Sequence, residues 1–147
     1  MIFRILLELA ALFALFWSIK SQRPIPIIIT LVMIAGIIFT LFPIKELDIP
    51  GIYIYMGSLV LVFVYSFTKK SISVIPRIML LLMAASLFLF WLWLENHWHG
   101  NTNVFLVLTL VALIVALFYR KSLKNEWGLM AIMGMDAFTL ILENLLK

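Results

Sequence analysis

Cysteine is absent from the 147-residue sequence, and only 12% of its residues are charged. Without cysteine, the chain can have no disulfide, thiolate metal site or thiol nucleophile. Soluble domains are roughly one quarter charged, so this composition lies far outside the soluble range. No serine shares a plausible depth with both a histidine and an acid, and an aspartyl protease would need a second mid-depth aspartate. We therefore expect no enzyme, no cofactor and no resident metal.

Apolar residues make up 65% of the sequence and form long runs. A helix needs about 20 such residues to cross a hydrocarbon layer, and runs of this kind occupy nearly the whole chain. The predicted fold class is all-α, a polytopic transmembrane helical bundle of five or six short spans. We expect residues 1–147 to form a single integral membrane domain. The predicted spans cover residues 2–19, 24–42, 51–68, 76–94 and 104–119.

The basic loop at residues 20–26 matches the loop at residues 70–76, fifty positions later, in its lysine, serine, isoleucine and proline. A third copy begins at Lys121. Tandem repetition of this kind predicts three two-helix hairpins. Chance agreement in an apolar chain is the alternative, because the third copy has Glu126 and Trp127 where the others have isoleucine and proline.

Basic residues are concentrated in three of the predicted loops. The loops after spans 1, 3 and 5 contain eight of the eleven lysine and arginine residues, whereas those after spans 2 and 4 contain only Lys45. The positive-inside rule then predicts that loops 20–23, 69–77 and 120–124 are cytoplasmic and that the amino terminus is outside. We expect a bacterial inner-membrane protein. The predicted cytoplasmic basic face consists of Lys20, Arg23, Lys69, Lys70, Arg77, Arg120, Lys121 and Lys124.

The net charge of +4 does not indicate nucleic acid, because the cations lie in short loops rather than on a folded basic surface. We expect the lipid bilayer around the spans, and a cytoplasmic protein partner or anionic lipid at the basic face. Small-residue pairs such as Ala10 with Ala14 and Ala112 with Ala116 allow helices to approach closely. These pairs predict a homo-oligomer.

Residues 126–147 are ambiguous, because their first half is apolar all round while polar residues line one face of the second half. The segment is either a sixth span or an amphipathic helix on the membrane surface. In a sixth span Asp136 would lie at mid-depth, at a cost of roughly 3 kcal/mol, and such costs usually mark function. Asp136, with Glu8 as a second carboxyl group, is therefore the proton or ion candidate. In the surface alternative, Asp136 is a hydrated residue among lipid headgroups.

Aromatic residues are concentrated at the predicted outer side of the membrane. A cage for a cationic ligand is one interpretation of them, and interfacial anchoring is the commoner one. Glu95, His97 and His99 alternate, so in an extended loop they would all point toward one divalent metal. We favour an anchor there too, because two nitrogens and one oxygen leave a metal site incomplete. The candidates on this side are Tyr53, Tyr55, Trp91, Trp93, Trp98, His97 and His99.

Two functions are consistent with these features. The first, which the sequence favours, is a non-enzymatic oligomeric sensor or scaffold subunit that presents its basic face to a partner. Small membrane components of immunity, exclusion and phage-defence systems share this economical design. The second is a small proton-coupled transporter or channel that uses Asp136 between pseudo-symmetric hairpins.

We predict that single cysteines introduced at Ser21, Ser71 and Ser122 are shielded from a membrane-impermeant thiol reagent in intact cells, whereas cysteines at Glu46 and Asn101 are labelled. The reason is the eight-to-one distribution of loop cations. The natural sequence has no cysteine, so each variant has one reactive thiol. Labelling of the Ser71 variant without permeabilisation would reverse the predicted orientation.

Overall fold

The computed structural model describes residues 2–41, 45–69 and 73–146. Within these residues the protein has six helices and no strand, and 85% of the described part is helical. The helices are α1 (Ile2–Ser21), α2 (Pro24–Leu41), α3 (Lys45–Thr68), α4 (Val74–Glu95), α5 (Asn103–Phe118) and α6 (Trp127–Leu145). The predicted all-α fold is confirmed.

Proline residues explain where α2 begins, but they do not mark where α3 begins. Pro24 and Pro26 occupy the first turn of α2, where amide groups have no partner within the helix and the fixed φ favours helical entry. The sequence suggested that Pro50 precedes a span beginning at Gly51, but α3 begins at Lys45. Pro50 lies near the start of this helix, so its missing amide removes a single early hydrogen bond and does not end the helix.

The last segment of the chain forms a helix that lies inside the bundle. α6 contacts α1, α2, α4 and α5. Its buried residues include Leu129, Met133 and Asp136. A helix that is apolar on all sides is covered by neighbouring helices, which explains the position of its first half. α6 is also long and apolar enough to cross a membrane, so its packing agrees with a sixth span, which stays a prediction.

Three of the described helices are long and apolar enough to cross a membrane: residues Ile49–Thr68 of α3, together with α4 and α6. The apolar segments Pro24–Thr40 of α2 and Asn103–Phe118 of α5 are shorter. Three helices of spanning length thus stand where the sequence predicted five or six spans. Large apolar side chains such as Phe67 and Phe118 are exposed on the outside of the bundle, as expected of a surface that contacts another apolar phase.

Glycine residues permit two close helix crossings within the chain. Gly36 of α2 faces α3, where an added Cβ would lie 2.8 Å from the backbone nitrogen of Tyr55. Gly128 of α6 faces α1, where an added Cβ would lie 2.7 Å from the backbone oxygen of Ala14. Cβ atoms do not approach backbone atoms so closely, so both crossings depend on the absence of a side chain.

The small-residue pairs of α1 and α5 are buried within the chain. Ala14 and Ala116 are fully buried, and Ala10 and Ala112 are nearly so. The close approach that these pairs predict therefore takes place between helices of one chain. The surface from which a homo-oligomer was inferred is therefore already covered within one chain. The oligomeric state stays a prediction.

Consecutive helices contact one another throughout the bundle. The pairs predicted as hairpins, α1 with α2, α3 with α4 and α5 with α6, are each in contact. α2 also packs on α3, α4 on α5, and α1 on α6. The helices therefore form a continuous ring of contacts, in which the three hairpins are not separate units.

We predict that Gly36→Ala destabilises the folded protein by about 1–3 kcal/mol, because the added methyl group must displace the α3 backbone. Gly57→Ala is the matched control, since Gly57 is exposed on α3 and an added Cβ there meets no atom within 4 Å. Thermal unfolding in a mild detergent measures both variants. An unchanged melting temperature for Gly36→Ala would contradict the close crossing of α2 and α3.

Candidate functional site

Two hydrogen bonds from tyrosine side chains to buried carboxylates join α3 to α6 and the residue before it. Tyr55 donates to Asp136 and Tyr65 donates to Glu126, each with 2.9 Å between the oxygen atoms. The two tyrosines are ten residues apart, as are the two carboxylates, and ten residues correspond to about 15 Å of helix. α3 and α6 therefore run in opposite directions in one shared register.

Asp136 is 5% exposed and lies in the middle of α6. Its Oδ2 atom accepts a hydrogen bond from the Tyr55 hydroxyl and a longer one, 3.4 Å, from the indole nitrogen of Trp91. The two aromatic rings contact each other edge to face, with centroids 6.3 Å apart. No described residue donates a hydrogen bond to Oδ1. One oxygen of this carboxyl group is therefore available to a ligand or a proton.

A cavity of about 280 Å³ adjoins Asp136, and we call it the Asp136 cavity. Helices α1, α2, α3, α4 and α6 all contribute to its walls. Besides Asp136 and its two aromatic donors, the lining residues are Leu7, Ile37, Ile52, Leu140, Thr40, Thr139 and Glu143. Most of this surface is apolar. The cavity lies toward the end of α6 and the start of α3, which is the end of the bundle away from Glu126.

Small residues near Asp136 bring the neighbouring helices close to α6. Gly134 faces α5, and an added Cβ would lie 2.5 Å from the Leu113 side chain. Ala137 is fully buried. The Thr139 hydroxyl donates to the backbone carbonyl of Asp136 over 2.9 Å, so its polarity is satisfied within α6. The carboxyl group of Asp136 is thus left to interact with α3 and α4.

The second buried carboxylate, Glu126, directly precedes α6 and is fully buried. Its Oε1 atom accepts a hydrogen bond from Tyr65 and forms an ion pair with the Lys69 ammonium group. Lys69 also donates to the Tyr65 hydroxyl over 2.7 Å. The Oε2 atom accepts no hydrogen bond from the described residues. We call these three residues the Glu126 cluster.

The Glu126 cluster was not predicted from the sequence. From the sequence, Glu126 was placed at the start of the last segment, residues 126–147, and no partner was predicted for it. The available signal was the spacing of Tyr65 and Lys69, which are four residues apart and therefore share a face of α3. This spacing does not show that a buried carboxylate from another part of the chain pairs with Lys69.

Glu8, the second carboxyl group of the proton hypothesis, does not meet Asp136. It is exposed on α1 and lines a groove between α1 and α2 with apolar neighbours that include Leu12 and Ile34. Ile37 lines both this groove and the Asp136 cavity, so it separates the two carboxyl groups. Arg4 precedes Glu8 by four residues in the sequence, and its side chain lies outside the described part of the chain.

The outer aromatic candidates occupy three different places. Tyr55 and Trp91 contact Asp136, as described above. Trp93 packs edge to face on Trp98, with centroids 5.1 Å apart. Tyr53 is 58% exposed on the outside of α3. These five residues do not form one cage around a common centre.

The two histidines lie in a turn after α4. Glu95 is the last residue of that helix, and His97 has a positive φ of 51°. The alternation of Glu95, His97 and His99 pointed to a shared metal only if the loop was extended. Among the residues that the structure describes, no three His, Asp or Glu side chains form a group able to hold a metal ion.

The predicted basic loops meet at one end of the bundle, which we call the basic end. The Trp17 indole donates to the Lys124 carbonyl over 2.7 Å, and the Ser73 and Ser122 hydroxyls are 3.4 Å apart. Lys70 lies outside the described residues, and Lys69 and Arg77 are half-buried. The exposed cations at this end are Lys20, Arg23, Arg120, Lys121 and Lys124.

Comparison with protein-family models, with curated proteins and with solved structures gave no match for this chain. The class of protein is defined by the fold, which is all-helical with three helices of membrane-spanning length. Its characteristic site consists of two buried carboxylates, one adjoining a cavity and one paired with a lysine.

We predict that Lys69→Met destabilises the protein by about 3 kcal/mol, because Glu126 would stay buried without a cation. The double variant Lys69→Met with Glu126→Gln should recover most of this loss, since a neutral pair needs no compensating charge. Lys124→Met, which removes an exposed lysine nearby, is the control. The free energy of unfolding is measured by titration with a denaturing detergent. A loss for Lys69→Met equal to that of the control would contradict the role of the ion pair.

Proposed function

We propose that all six helices cross the membrane, with the amino terminus outside and the basic end in the cytoplasm. The exposed apolar side chains of α1, α2 and α5 support this assignment for the helices outside the three long ones. α5 has 16 residues, or about 24 Å of helix, and a short span of this kind is accommodated by local thinning of the bilayer. We propose the bacterial inner membrane as the location, since the loop charges follow the positive-inside rule.

We further propose that the bundle is a small non-enzymatic transporter coupled to protons, in which Asp136 takes up and releases the proton. The supporting observation is that a carboxyl group in the middle of a helix, 5% exposed, lines a cavity. Ionisable residues inside membrane-spanning helices are costly, and they usually belong to ion or proton pathways. The cavity gives the carboxyl group a path for exchange with one side of the membrane.

Protonation of Asp136 would change what the carboxyl group offers to the cavity. The ionised form only accepts hydrogen bonds, whereas the protonated form also donates one. The other titratable groups that line the cavity are Tyr55 of α3 and Glu143 of α6. Glu8 of α1 lies across Ile37 from it. The described lining residues of α2 and α4 that carry polar atoms are Thr40 and Trp91, which do not exchange protons near neutral pH.

Transport requires that the site communicate with each side of the membrane in turn. Under the proposed orientation the Asp136 cavity lies toward the outer side. The Glu126 cluster lies at the basic end, on the opposite side of the bundle from this cavity. In the transport cycle that we propose, separation of α3 from α6 at the Glu126 cluster would give the cavity access to the cytoplasm.

The scaffold function is the second candidate, and the geometry of the basic end supports it. Contacts between the ends of α1, α4 and α5 bring exposed cations of different loops together. Such a surface suits an acidic partner or anionic lipid, to which each cation would contribute about 1 kcal/mol. The pairing of Lys69 with Glu126 removes one cation from the face that the sequence predicted.

We predict that the purified protein conducts protons into liposomes under an imposed membrane potential and that Asp136→Asn lowers this flux at least tenfold. Asparagine has the size of aspartate but cannot bind a proton at neutral pH, so the packing is preserved and the proton site is lost. A pH-sensitive dye inside the liposomes reports the flux.

The matched control for this experiment is Glu95→Gln, which removes a carboxyl group one turn beyond Trp91 in α4 that does not line the cavity. It should conduct protons as the wild type does. If Asp136→Asn conducts protons at the wild-type rate, the transporter proposal fails and the scaffold proposal replaces it.

A further inference from the structure

The chemistry of the Asp136 cavity defines a class of ligand. We infer that the cavity binds a small organic cation with an apolar or aromatic body. This inference rests on the proposed function, because it takes the Asp136 cavity as the transport site. It adds the class of substrate, which neither the proton hypothesis nor the fold specifies.

Two carboxyl groups line the cavity, the buried one of Asp136 and the exposed one of Glu143. Asp136 receives hydrogen bonds only from the neutral donors Tyr55 and Trp91, and both of these go to Oδ2. None of the described residues that line the cavity is a lysine, arginine or histidine. Lys69, the half-buried lysine nearest the bundle interior, is paired with Glu126. A positive charge nearby stabilises a buried carboxylate beyond what neutral donors provide, and a cationic ligand would supply that charge.

The walls of the cavity select the body of this cation. Two aromatic rings, Tyr55 and Trp91, stand beside the carboxyl group, and their hydrogen bonds to Oδ2 fix their orientation. Aromatic rings attract ammonium groups, most strongly where water is excluded. Four aliphatic side chains also line the cavity, so an apolar ligand body is buried favourably.

The size and polarity of the cavity exclude other classes of ligand. At about 280 Å³ it is at the lower limit of pockets that hold drug-sized molecules, so the ligand is small. A bare metal cation needs about six oxygen ligands, and among the described residues no three His, Asp or Glu side chains form a group able to hold one. An anion would be repelled by Asp136, and a neutral apolar molecule would leave its charge uncompensated.

Calorimetric titration of the full-length protein in detergent tests this inference. The probe is benzyltrimethylammonium, and its neutral counterpart is neopentylbenzene, which has the same shape with carbon in place of nitrogen. We expect the wild type to bind the cation at least tenfold more tightly than the neutral molecule. Asp136→Asn should weaken cation binding at least tenfold, and Glu95→Gln should leave it unchanged.

The pH dependence of binding gives a second readout. Because the cation and the proton compete for Asp136, the affinity of the wild type for benzyltrimethylammonium should fall as the pH is lowered. Binding should also release protons, measured by repeating the titration in buffers with different ionisation enthalpies. The affinity for neopentylbenzene should not depend on pH in this way.

The outcomes separate this inference from the proposed function. If the wild type prefers the cation but Asp136 does not support proton flux in liposomes, the ligand class holds and the transporter proposal fails. If the wild type binds both molecules equally or neither, the ligand class is wrong, whatever the proton flux. This comparison uses only the wild type, so it decides the matter even if Asp136→Asn does not fold.

Discussion

A carboxylate buried among apolar helices requires hydrogen-bond donors or a cation, because its charge is otherwise prohibitively expensive away from water. Two of the carboxylates that the structure describes are buried, Glu126 before α6 and Asp136 in the middle of it. α3 supplies a tyrosine to each, and Lys69 supplies a cation to Glu126. The position of α3 relative to α6 follows from this requirement, since both tyrosine side chains must face the inner helix. In this arrangement one oxygen of Asp136 receives no hydrogen bond from the described residues, and the cavity lies beside this carboxyl group.

Elsewhere the helices are joined by hydrogen bonds between hydroxyl groups and by close crossings. Burying a neutral hydroxyl group costs much less free energy than burying a carboxylate. Ser18 and Thr30 are hydrogen-bonded between α1 and α2 over 2.9 Å, and Ser86 and Thr109 are hydrogen-bonded between α4 and α5 over 2.6 Å. The threonine hydroxyls also bond to backbone carbonyls four residues earlier. Such groups are satisfied within their own helix, so they place no strong demand on a neighbour. Glycine at the crossings then decides how closely the helices approach.

The sequence predicted the helices and identified Asp136, one of the two buried carboxylates. It did not predict which side chains of α3 face inward or that Glu126 is buried. Apolar runs bounded by prolines and basic loops define helices, and an acid inside such a run is conspicuous, as Asp136 is. Tyr53 and Tyr55 were treated alike, yet Tyr53 is 58% exposed and Tyr55 is buried. α3 is apolar on all sides, so no amphipathic pattern indicates which face turns inward. Glu126 was missed because it is buried only by contacts with another helix, which the sequence does not show. The small-residue pairs predict close helix packing, but they do not show whether the partner helix belongs to the same chain.

The equal spacing of the tyrosines and the carboxylates has a mechanical consequence. A slip of α3 by one residue would shift both hydroxyl groups by about 1.5 Å along the axis and turn them by about 100°, so neither hydrogen bond could survive alone. α3 is a rigid rod over the ten residues between Tyr55 and Tyr65. Rotation of this rod about its axis, or sliding along it, is therefore the same movement at the cavity and about 15 Å away, at the ion pair. Such a movement breaks both hydrogen bonds together, whereas a tilt of the rod can open one end alone.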